Sequence, residues 1–425
     1  MKYSNSLKYM NSFSPAKIPS DISQKRIADL CKRLGRINVG TRYICVPDGS
    51  AGHACAVLLE NIIKSSEHSV GRITSCCDFD SRSSILLNGE MASIETYNKS
   101  VTALKSVAKN DPDDMYTKEE MVLALGLLMC KLEACEYVIL EGLSKDGMAL
   151  DAICAPYDLI VVPTVYEGSG AADKIKTMCD VIRRGTREVV SGNQRSDVYN
   201  KISQACAISG VRLYIPAKAQ FEPTDISPRK LTFNYGGKEG YALRSPSHVL
   251  RDCAMTVVEA SLALRRGGVK MPWSGIFNGL SSASDTRCFE MISASPIIVT
   301  DSARVREELI PMLKTADELW GTPDSFSIVV SPDGKTSLSS LLSAISGRKL
   351  NNIVLVGYET QEDLTADNVI ICKTSREAAK ELVELGKSEK LIFCFGSVEF
   401  AADIKTEFTP AASPLPSRSW CMSSS

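Results

Sequence analysis

A glycine-containing segment lies where the sequence pattern changes from strand to helix. It reads V-P-D-G-S-A-G-H-A over residues 46–54. A loop that holds phosphate needs glycines, so that backbone N–H groups can face the anion, together with a lysine and a Ser or Thr hydroxyl. Gly49, Ser50 and Gly52 are candidates for such a loop, but the lysine and the closing hydroxyl are absent. A purely structural turn between strand and helix is the alternative interpretation.

Two further motifs follow this loop, V-G-x-x-T-S at 70–75 and N-G-E at 88–90. In this order the three segments resemble V-A-G-T-N-G-K-G-S, V-G-x-Y-T-S-P-H-L and I-N-G-E of the folylpolyglutamate synthase/dihydrofolate synthase branch of the Mur ligases. The common register places Gly52 at the family's lysine. The resemblance implies that the loop faces nucleotide and that Ser75 contacts a metal ion.

Glu141 ends the apolar strand predicted at 137–141. Ligands collect at the carboxyl ends of parallel strands, although a glutamate at such a position is also common as an exposed or capping carboxylate. The segments 140–143 and 150–152 resemble the family's L-E-V-G-L-G-G-R-L-D-A-T-N. This resemblance implies that Glu141 binds magnesium.

Several residues on which the family's chemistry depends are replaced. The histidine of the family's D-H pair is missing after the strand predicted at 158–164, and Met178 stands where the family has a carbamylated lysine that holds a second metal ion. A thioether cannot be carbamylated, so that ligand cannot form. Arg72, Arg183 and Arg184 are the only nearby cations that could compensate.

Three motifs further along the chain extend the resemblance. His248, near the start of a predicted helix, resembles the first residue of H-Q-x-x-N-A, although a structural helical histidine is the alternative. The segment 287–292 resembles G-R-x-E, which implies that Arg287 contacts nucleotide. The segment 298–304 resembles the family's strand and D-G-A-H-N, of which Asp301 is kept.

Alternating strands and helices must position these residues. The expected strands lie at 42–46, 70–75, 137–141, 158–164, 187–192 and 211–216, and then at 296–300, 326–330, 352–357, 368–372 and 391–396. Unbroken Val/Ile/Leu strands between helices are typical of a parallel sheet covered on both faces. Residues 1–20 are expected to be irregular, 217–245 to be antiparallel, and the Gly- and Ser-rich 274–285 to be a loop.

We therefore predict an α/β protein with two domains. The first, over 1–283, is a P-loop-type parallel-sheet domain similar to the ATP-binding central domain of the Mur ligases. The second, over 284–425, is a smaller Rossmann-like domain similar to the Mur ligase C-terminal domain.

Composition and charge narrow the function classes. The 425 residues carry a formal net charge of −1 with no long run of one sign, whereas nucleic-acid and anionic-membrane binding need a basic surface. Fifteen cysteines occur without a C-x-x-C pair, which favours reduced thiols over a disulfide or zinc framework. No apolar segment is long enough to span a bilayer. We expect a cytoplasmic protein with no nucleic-acid or membrane partner.

The family joins L-glutamate to a folate-type carboxylate through an acyl phosphate, so the resemblance implies ATP and Mg²⁺ as cofactors. Lysine and metal ions neutralise the transferred phosphate. Because these groups are lost together, we predict a catalytically silent homologue, a pseudoenzyme that binds a folate-like or nucleotide small molecule or a protein partner. One alternative is an active ATP-dependent ligase that adds an amino acid to a folate-like or other carboxylate in a remodelled site. Another is a nucleotide-binding protein without turnover.

Overall fold

The computed structural model describes residues 2–13, 20–49, 51–75, 80–108, 116–142, 156–166, 171–284, 286–331, 338–357 and 368–408 of the 425-residue chain. The chain separates into two units, 1–286 and 287–425. Each unit holds its own sheet of mainly parallel strands.

The first unit is built around a long sheet. Its strands are β1 (Arg42–Val46), β2 (Val70–Thr74), β3 (Ile85–Leu87), β4 (Glu90–Met91), β5 (Tyr137–Glu141), β6 (Leu159–Val162), β7 (Glu188–Ser191) and β8 (Arg212–Tyr214). Within the described residues their order is β4-β3-β2-β5-β1-β6-β7-β8. The six strands from β2 to β8 in this order are parallel. Strands β3 and β4 form an antiparallel hairpin at one edge.

The burial of the central strands follows from their sequence. Consecutive residues of β5 and β6 are buried, so both faces of the sheet are covered, as unbroken apolar runs require. The prediction of a parallel sheet is confirmed.

Helices of the first unit begin and end at recognisable local signals. They are α1 (Tyr3–Met10), α2 (Ser20–Arg33), α3 (Gly52–Ser65), α4 (Ile94–Val107), α5 (Lys118–Leu132), α6 (Ala172–Asp180), α7 (Ser196–Ser209), α8 (His248–Arg266) and α9 (Trp273–Ser282). At the start of α5, the Thr117 hydroxyl accepts from the Glu120 N–H at 3.1 Å while the Glu120 carboxylate accepts from the Thr117 N–H at 2.8 Å. This capping box satisfies two backbone donors that the helix itself leaves open.

A separate antiparallel sheet follows β8. It consists of β9 (Glu222–Ser227), β10 (Lys230–Tyr235) and β11 (Lys238–Leu243), with β10 in the middle. The rings of Phe233 and Tyr241 stack across β10 and β11 with centroids 5.1 Å apart. The antiparallel excursion predicted at 217–245 is confirmed.

The expectation that residues 1–20 are irregular was wrong for α1. Tyr3 stacks edge-on against Tyr97 of α4, with ring centroids 5.8 Å apart, and Ser6 donates to the Asn98 side chain at 2.6 Å. Met10 is fully buried. These residues recur every three or four positions and lie on one side of the helix, a period that the many polar residues between them concealed.

The expectation of a loop at 274–285 was also wrong, because α9 occupies most of it. A Cβ atom on Gly279 would lie 2.4 Å from the Ile62 Cα, and one on Gly275 would lie 2.3 Å from the Ser66 hydroxyl. The glycines that suggested a loop instead allow α9 to pack closely on α3 and the residue after it. The first unit therefore continues past α8.

The second unit holds another sheet, whose described strands are ordered β12-β13-β17-β14-β15-β16. These strands are β12 (Glu290–Ala294), β13 (Ile297–Thr300), β14 (Ser325–Val330), β15 (Lys349–Val356), β16 (Val369–Cys372) and β17 (Leu391–Phe395), and the helices are α10 (Arg306–Trp320), α11 (Leu338–Ser343), α12 (Ser375–Leu385) and α13 (Val398–Phe408). Strand β12, which the sequence did not suggest, pairs antiparallel with β13, and the other described pairs are parallel.

The close contact between α3 and α9 predicts that Gly279→Ala destabilises the protein. The added methyl group meets backbone, which cannot rotate away, so overpacking should cost about 1–3 kcal/mol and exceed the gain of about 1 kcal/mol in helix propensity. Urea unfolding measures the difference. Asn278→Ala, at an exposed position of the same helix, is the control and should change stability little; equal effects from the two variants would contradict the close packing.

Candidate functional site

The carboxyl ends of β1, β2 and β5 lie side by side. Val46 and Thr74 both pair with Glu141 in the sheet register. The Ser75 N–H donates to the Glu141 carbonyl at 3.1 Å, and the Gly142 N–H donates to the Val46 carbonyl at 2.9 Å. We call this edge the strand-end site; it comprises the loop residues 47–49, 51 and 52 together with His53, Glu60, Arg72, Ser75 and Glu141.

The structure brings four of the five first-unit candidates to this edge. Gly49 and Gly52 lie in the loop after β1, Ser75 follows β2 with an exposed side chain, and Glu141 ends β5. Ser50 lies outside the described residues. The sequence register therefore placed these residues at one end of the sheet, as parallel strands require.

The loop between β1 and α3 is packed by the protein's own atoms. The Gly52 N–H donates to the Gly49 carbonyl at 2.9 Å, and α3 begins at Gly52. A Cβ on Gly49 would lie 3.1 Å from the terminal methyl of Met178, and one on Gly52 would lie 3.0 Å from the Pro47 carbonyl oxygen. Met178 is fully buried. An apolar methyl group thus packs against the loop, and a side chain at position 52 would start against a carbonyl.

Both oxygens of the Glu141 carboxylate have partners from the protein. Arg72 Nη1 donates to Oε2 at 2.6 Å, and His53 Nδ1 lies 2.8 Å from Oε1. Only 9% of Glu141 is exposed, so water has little access to either contact. The two groups belong to different elements, since Arg72 lies on β2 and His53 in the first turn of α3.

Arg72 is held from a second direction by Glu60. Its Nε donates to Glu60 Oε2 at 2.7 Å, and Arg72 and Glu60 are 6% and 2% exposed. The other oxygen of Glu60, Oε1, is buried and accepts no hydrogen bond. One guanidinium therefore contacts two buried carboxylates and supplies the opposite charge that buried carboxylates need.

The charges shift the protonation equilibria strongly. Burial opposes ionisation of Glu141, but His53 and Arg72 outweigh it and lower the pKa of its carboxyl to about 2. Burial lowers the pKa of the Arg72 guanidinium, but Glu141 and Glu60 more than reverse this and raise it. The strand-end site is therefore a fixed pair of carboxylates around a fixed cation.

This geometry does not fit a bound magnesium ion. Mg²⁺ requires close octahedral coordination by oxygen ligands at about 2.0–2.1 Å, whereas each Glu141 oxygen already accepts from a nitrogen. A unit positive charge about 4 Å from a guanidinium is repelled by about 4 kcal/mol at an effective dielectric constant of 20, and the repulsion of a divalent cation is twice as large. Among the described residues, no group of three or more His, Cys, Asp or Glu side chains could hold a metal ion. Binding of Mg²⁺ by Ser75 and Glu141 stays a prediction, and these contacts do not support it.

The second-unit candidates lie near one another in that unit. The Ser302 N–H donates to the Arg287 carbonyl at 3.1 Å. The two Asp301 oxygens accept from the N–H groups of Phe289 and Ala303, each at 2.8 Å. Burial raises the pKa of the Asp301 carboxyl to about 7, against these two donors and with a contribution from Glu308. Asp301 thus joins the turn before β12 to the turn after β13, and nucleotide binding by Arg287 and Asp301 stays a prediction.

Among the three proposed compensating cations, only Arg72 contacts the strand-end site. Arg183 and Arg184 are exposed and precede β7, which places them at the amino edge of the parallel sheet. His53 and Glu60 were not identified from the sequence. Their spacing of seven residues puts them on one face of α3. The sequence signal for a partner was Arg72, a charged residue inside the apolar strand V-G-R-I-T.

His248 begins α8, as predicted. One turn later, the Asp252 carboxylate accepts from the Tyr166 hydroxyl at 2.6 Å. This contact connects α8 to the segment after β6. The segment that resembles H-Q-x-x-N-A therefore contacts the segment after β6, where the resembled family has the histidine of its D-H pair.

No family model and no curated protein matches the chain. Several solved structures do. The apo form of L. casei FPGS, a folylpolyglutamate synthase, has a TM-score of 0.76 at 16% identity and covers 96% of this chain and 99% of its own. An FPGS–AMPPCP–folate complex has a TM-score of 0.79 at 17% identity over 96% and 99% of the two chains. Mycobacterium tuberculosis folylpolyglutamate synthase complexed with ADP has a TM-score of 0.76 at 14% identity over 97% and 100%.

The chain has the folylpolyglutamate synthase fold. The expected resemblance is confirmed at the level of the fold, across both units and nearly the whole chain. In the described part of the chain, no helix is both long and apolar enough to cross a membrane.

The lowered pKa of Glu141 predicts an acid-sensitive contribution to stability. Its carboxyl has a pKa of about 2 in the folded protein against an ordinary 4.5, so the contribution is complete above pH 4.5 and is lost as pH falls toward 2. The shift corresponds to about 3 kcal/mol. Glu141→Gln should lower the free energy of unfolding by about this amount at pH 7, and its difference from the parent protein should shrink below pH 4.5.

Urea unfolding between pH 7 and pH 3.5 measures this difference. Glu95→Gln is the matched control, because Glu95 pairs with Lys99 on an exposed surface and should contribute little. A difference for Glu141→Gln that is small at pH 7, or unchanged at low pH, would contradict the ionic role of Glu141.

Proposed function

We propose that this protein is a catalytically silent member of the folylpolyglutamate synthase fold that acts by binding or interaction. The proposal rests chiefly on the loop after β1, where Gly52 supplies no cation and the Met178 methyl group packs against Gly49. A loop that binds triphosphate needs room and positive charge. Here the neighbouring atoms are a thioether methyl group and a carbonyl oxygen.

The chemical consequence follows from how phosphoryl transfer is catalysed. Enzymes of this type lower the barrier by neutralising charge on the transferring group. The loss of one such contact of about 4 kcal/mol slows the reaction about 10³-fold. In this chain, the lysine position and the carbamylated lysine are replaced together, by Gly52 and Met178.

The neighbours support a small-molecule partner for such a protein. Their structures contain AMPPCP with folate in one case and ADP in another. We propose a folate-like or nucleotide ligand, or a protein partner, in the cytoplasm. The unit 1–286 would correspond to the ATP-binding-type domain and 287–425 to the Mur ligase C-terminal-like domain.

An active ligase with a remodelled site is the second candidate. Arg72 favours it, because this residue brings a cation to the carboxyl ends of the strands. However, Arg72 already contacts Glu60 and Glu141. Its charge is balanced by these two carboxylates, so little remains to stabilise a transferring phosphate.

MgATP at millimolar concentration should leave the melting temperature essentially unchanged. Ligand stabilisation follows RT ln(1 + [L]/Kd), so a Kd above a few millimolar contributes well under ~1 kcal/mol. Thermal unfolding with MgATP, with MgADP and with Mg²⁺ alone measures it. A shift with micromolar half-saturation would instead indicate a nucleotide-binding protein without turnover. ADP release that depends on L-glutamate and a folate-type carboxylate would establish the ligase.

A further inference from the structure

The strand-end site contains a buried charge arrangement that the resemblance does not account for. Glu60 and Glu141 come from different elements, α3 and β5, and both contact the guanidinium of Arg72 at 2.7 and 2.6 Å. In the resembled motif V-G-x-Y-T-S, position 72 is the unspecified x. The resemblance therefore assigns no role to Arg72.

Two buried carboxylates that share one neighbour need a cation there. Without a cation, two charged groups would be buried without an opposite charge, which is strongly unfavourable. A divalent metal ion or a guanidinium can meet this need. Here the guanidinium does so, with two of its nitrogens on two different carboxylates.

We propose that Arg72 is a built-in cation that replaces a divalent metal ion at Glu141 and makes this edge of the sheet independent of metal. The inference deepens the proposed function and rests on it. It concerns one class of ligand: Glu141 is the residue through which a divalent ion would bind, and Arg72 excludes that ion by contact and by charge.

His53, whose imidazole could itself coordinate a metal ion, also contacts Glu141. It lies 2.8 Å from the Glu141 oxygen that Arg72 does not contact. In the resembled loop V-A-G-T-N-G-K-G-S, position 53 is a glycine, next to the lysine that is Gly52 here. The loop thus lacks the cation that would face phosphate and gains an imidazole that faces the carboxylate.

An alternative role for Arg72 is purely structural. In that role Arg72 only balances the charge of its two carboxylate partners. Its removal would then destabilise the protein whatever ions are present. The two roles differ in what happens when a divalent ion is offered to the vacated site. Only a replaced metal site should bind that ion through Glu141.

The test uses Arg72→Met in the full chain with Mn²⁺ and Mg²⁺ as probes. The unaltered protein should have the same melting temperature in EDTA and in millimolar Mn²⁺ or Mg²⁺, and Mn²⁺ electron paramagnetic resonance should detect no bound ion. Arg72→Met in EDTA should melt lower, on the order of 10 °C, and Mn²⁺ should restore much of this loss with one ion bound. Adding Glu141→Gln should abolish the restoration.

Glu60→Gln/Arg72→Met provides a second variant if the single variant does not fold, because it leaves one uncompensated carboxylate instead of two. Either variant, once folded, should bind Mn²⁺ through Glu141. Folded variants that do not bind Mn²⁺, or that bind it equally with Glu141→Gln, would overturn the proposal. Mn²⁺ binding at Glu141 of the unaltered protein would overturn it as well.

The result is distinguishable from failure of the proposed function. ATP turnover by the unaltered protein would refute catalytic silence. A silent protein whose Arg72 variants ignore Mn²⁺ would refute only the replacement of a metal ion.

Discussion

The hydrogen bonds from Arg72 to Glu141 and Glu60 join side chains of three elements, the paired strands β2 and β5 and the helix α3. Arg72 lies on β2, Glu141 ends β5, and Glu60 lies on α3. Each of these three groups would be unfavourable if it were buried and charged without the others. The positions of the three side chains therefore depend on one another. The orientation of α3 over the sheet is therefore tied to the carboxyl end of β5, and α3 in turn sets where the loop after β1 must end.

The same fold can hold different chemistry at one end of its sheet. The neighbouring structures include complexes with AMPPCP and with ADP, and this chain retains the strand order and both units. At the carboxyl ends of the strands, however, side chains pair with one another. Residues 47–52 contain no lysine or arginine, and the positive charge of Arg72 lies in the interior, where it meets carboxylates.

Much of the fold could be predicted from the sequence because buried parallel strands are uninterrupted apolar runs. The strands around 42–46 and 137–141 show this. The antiparallel segment at 217–245 was predicted as well. Helix α1 was missed because its apolar residues are few, and α9 was missed because Gly275 and Gly279 suggested a loop. Their role is visible only once α3 lies against them, which is a property of tertiary packing.

The site was predictable in part for a related reason. A register of motifs placed Gly49, Gly52, Ser75 and Glu141 at one edge, since parallel strands bring their carboxyl ends together. The partners of Glu141 were not predictable in the same way, because Arg72 and His53 lie 69 and 88 residues away from it in sequence. Sequence could mark Arg72 as an unusual charge in an apolar strand, but only the structure shows which carboxylates it contacts. Asp301 shows the limit of motif reasoning most clearly, since both of its oxygens accept from backbone N–H groups.

The contact between α3 and α9 has a mechanical consequence. Because the backbones of the two helices touch at Gly279 and Ile62, α3 has no side-chain layer on that side over which it could slide or rotate. The first turn of α3, which carries His53, is therefore joined to α9 through the helix itself. A displacement of Gly52, where the loop ends, would require α3 and α9 to move together.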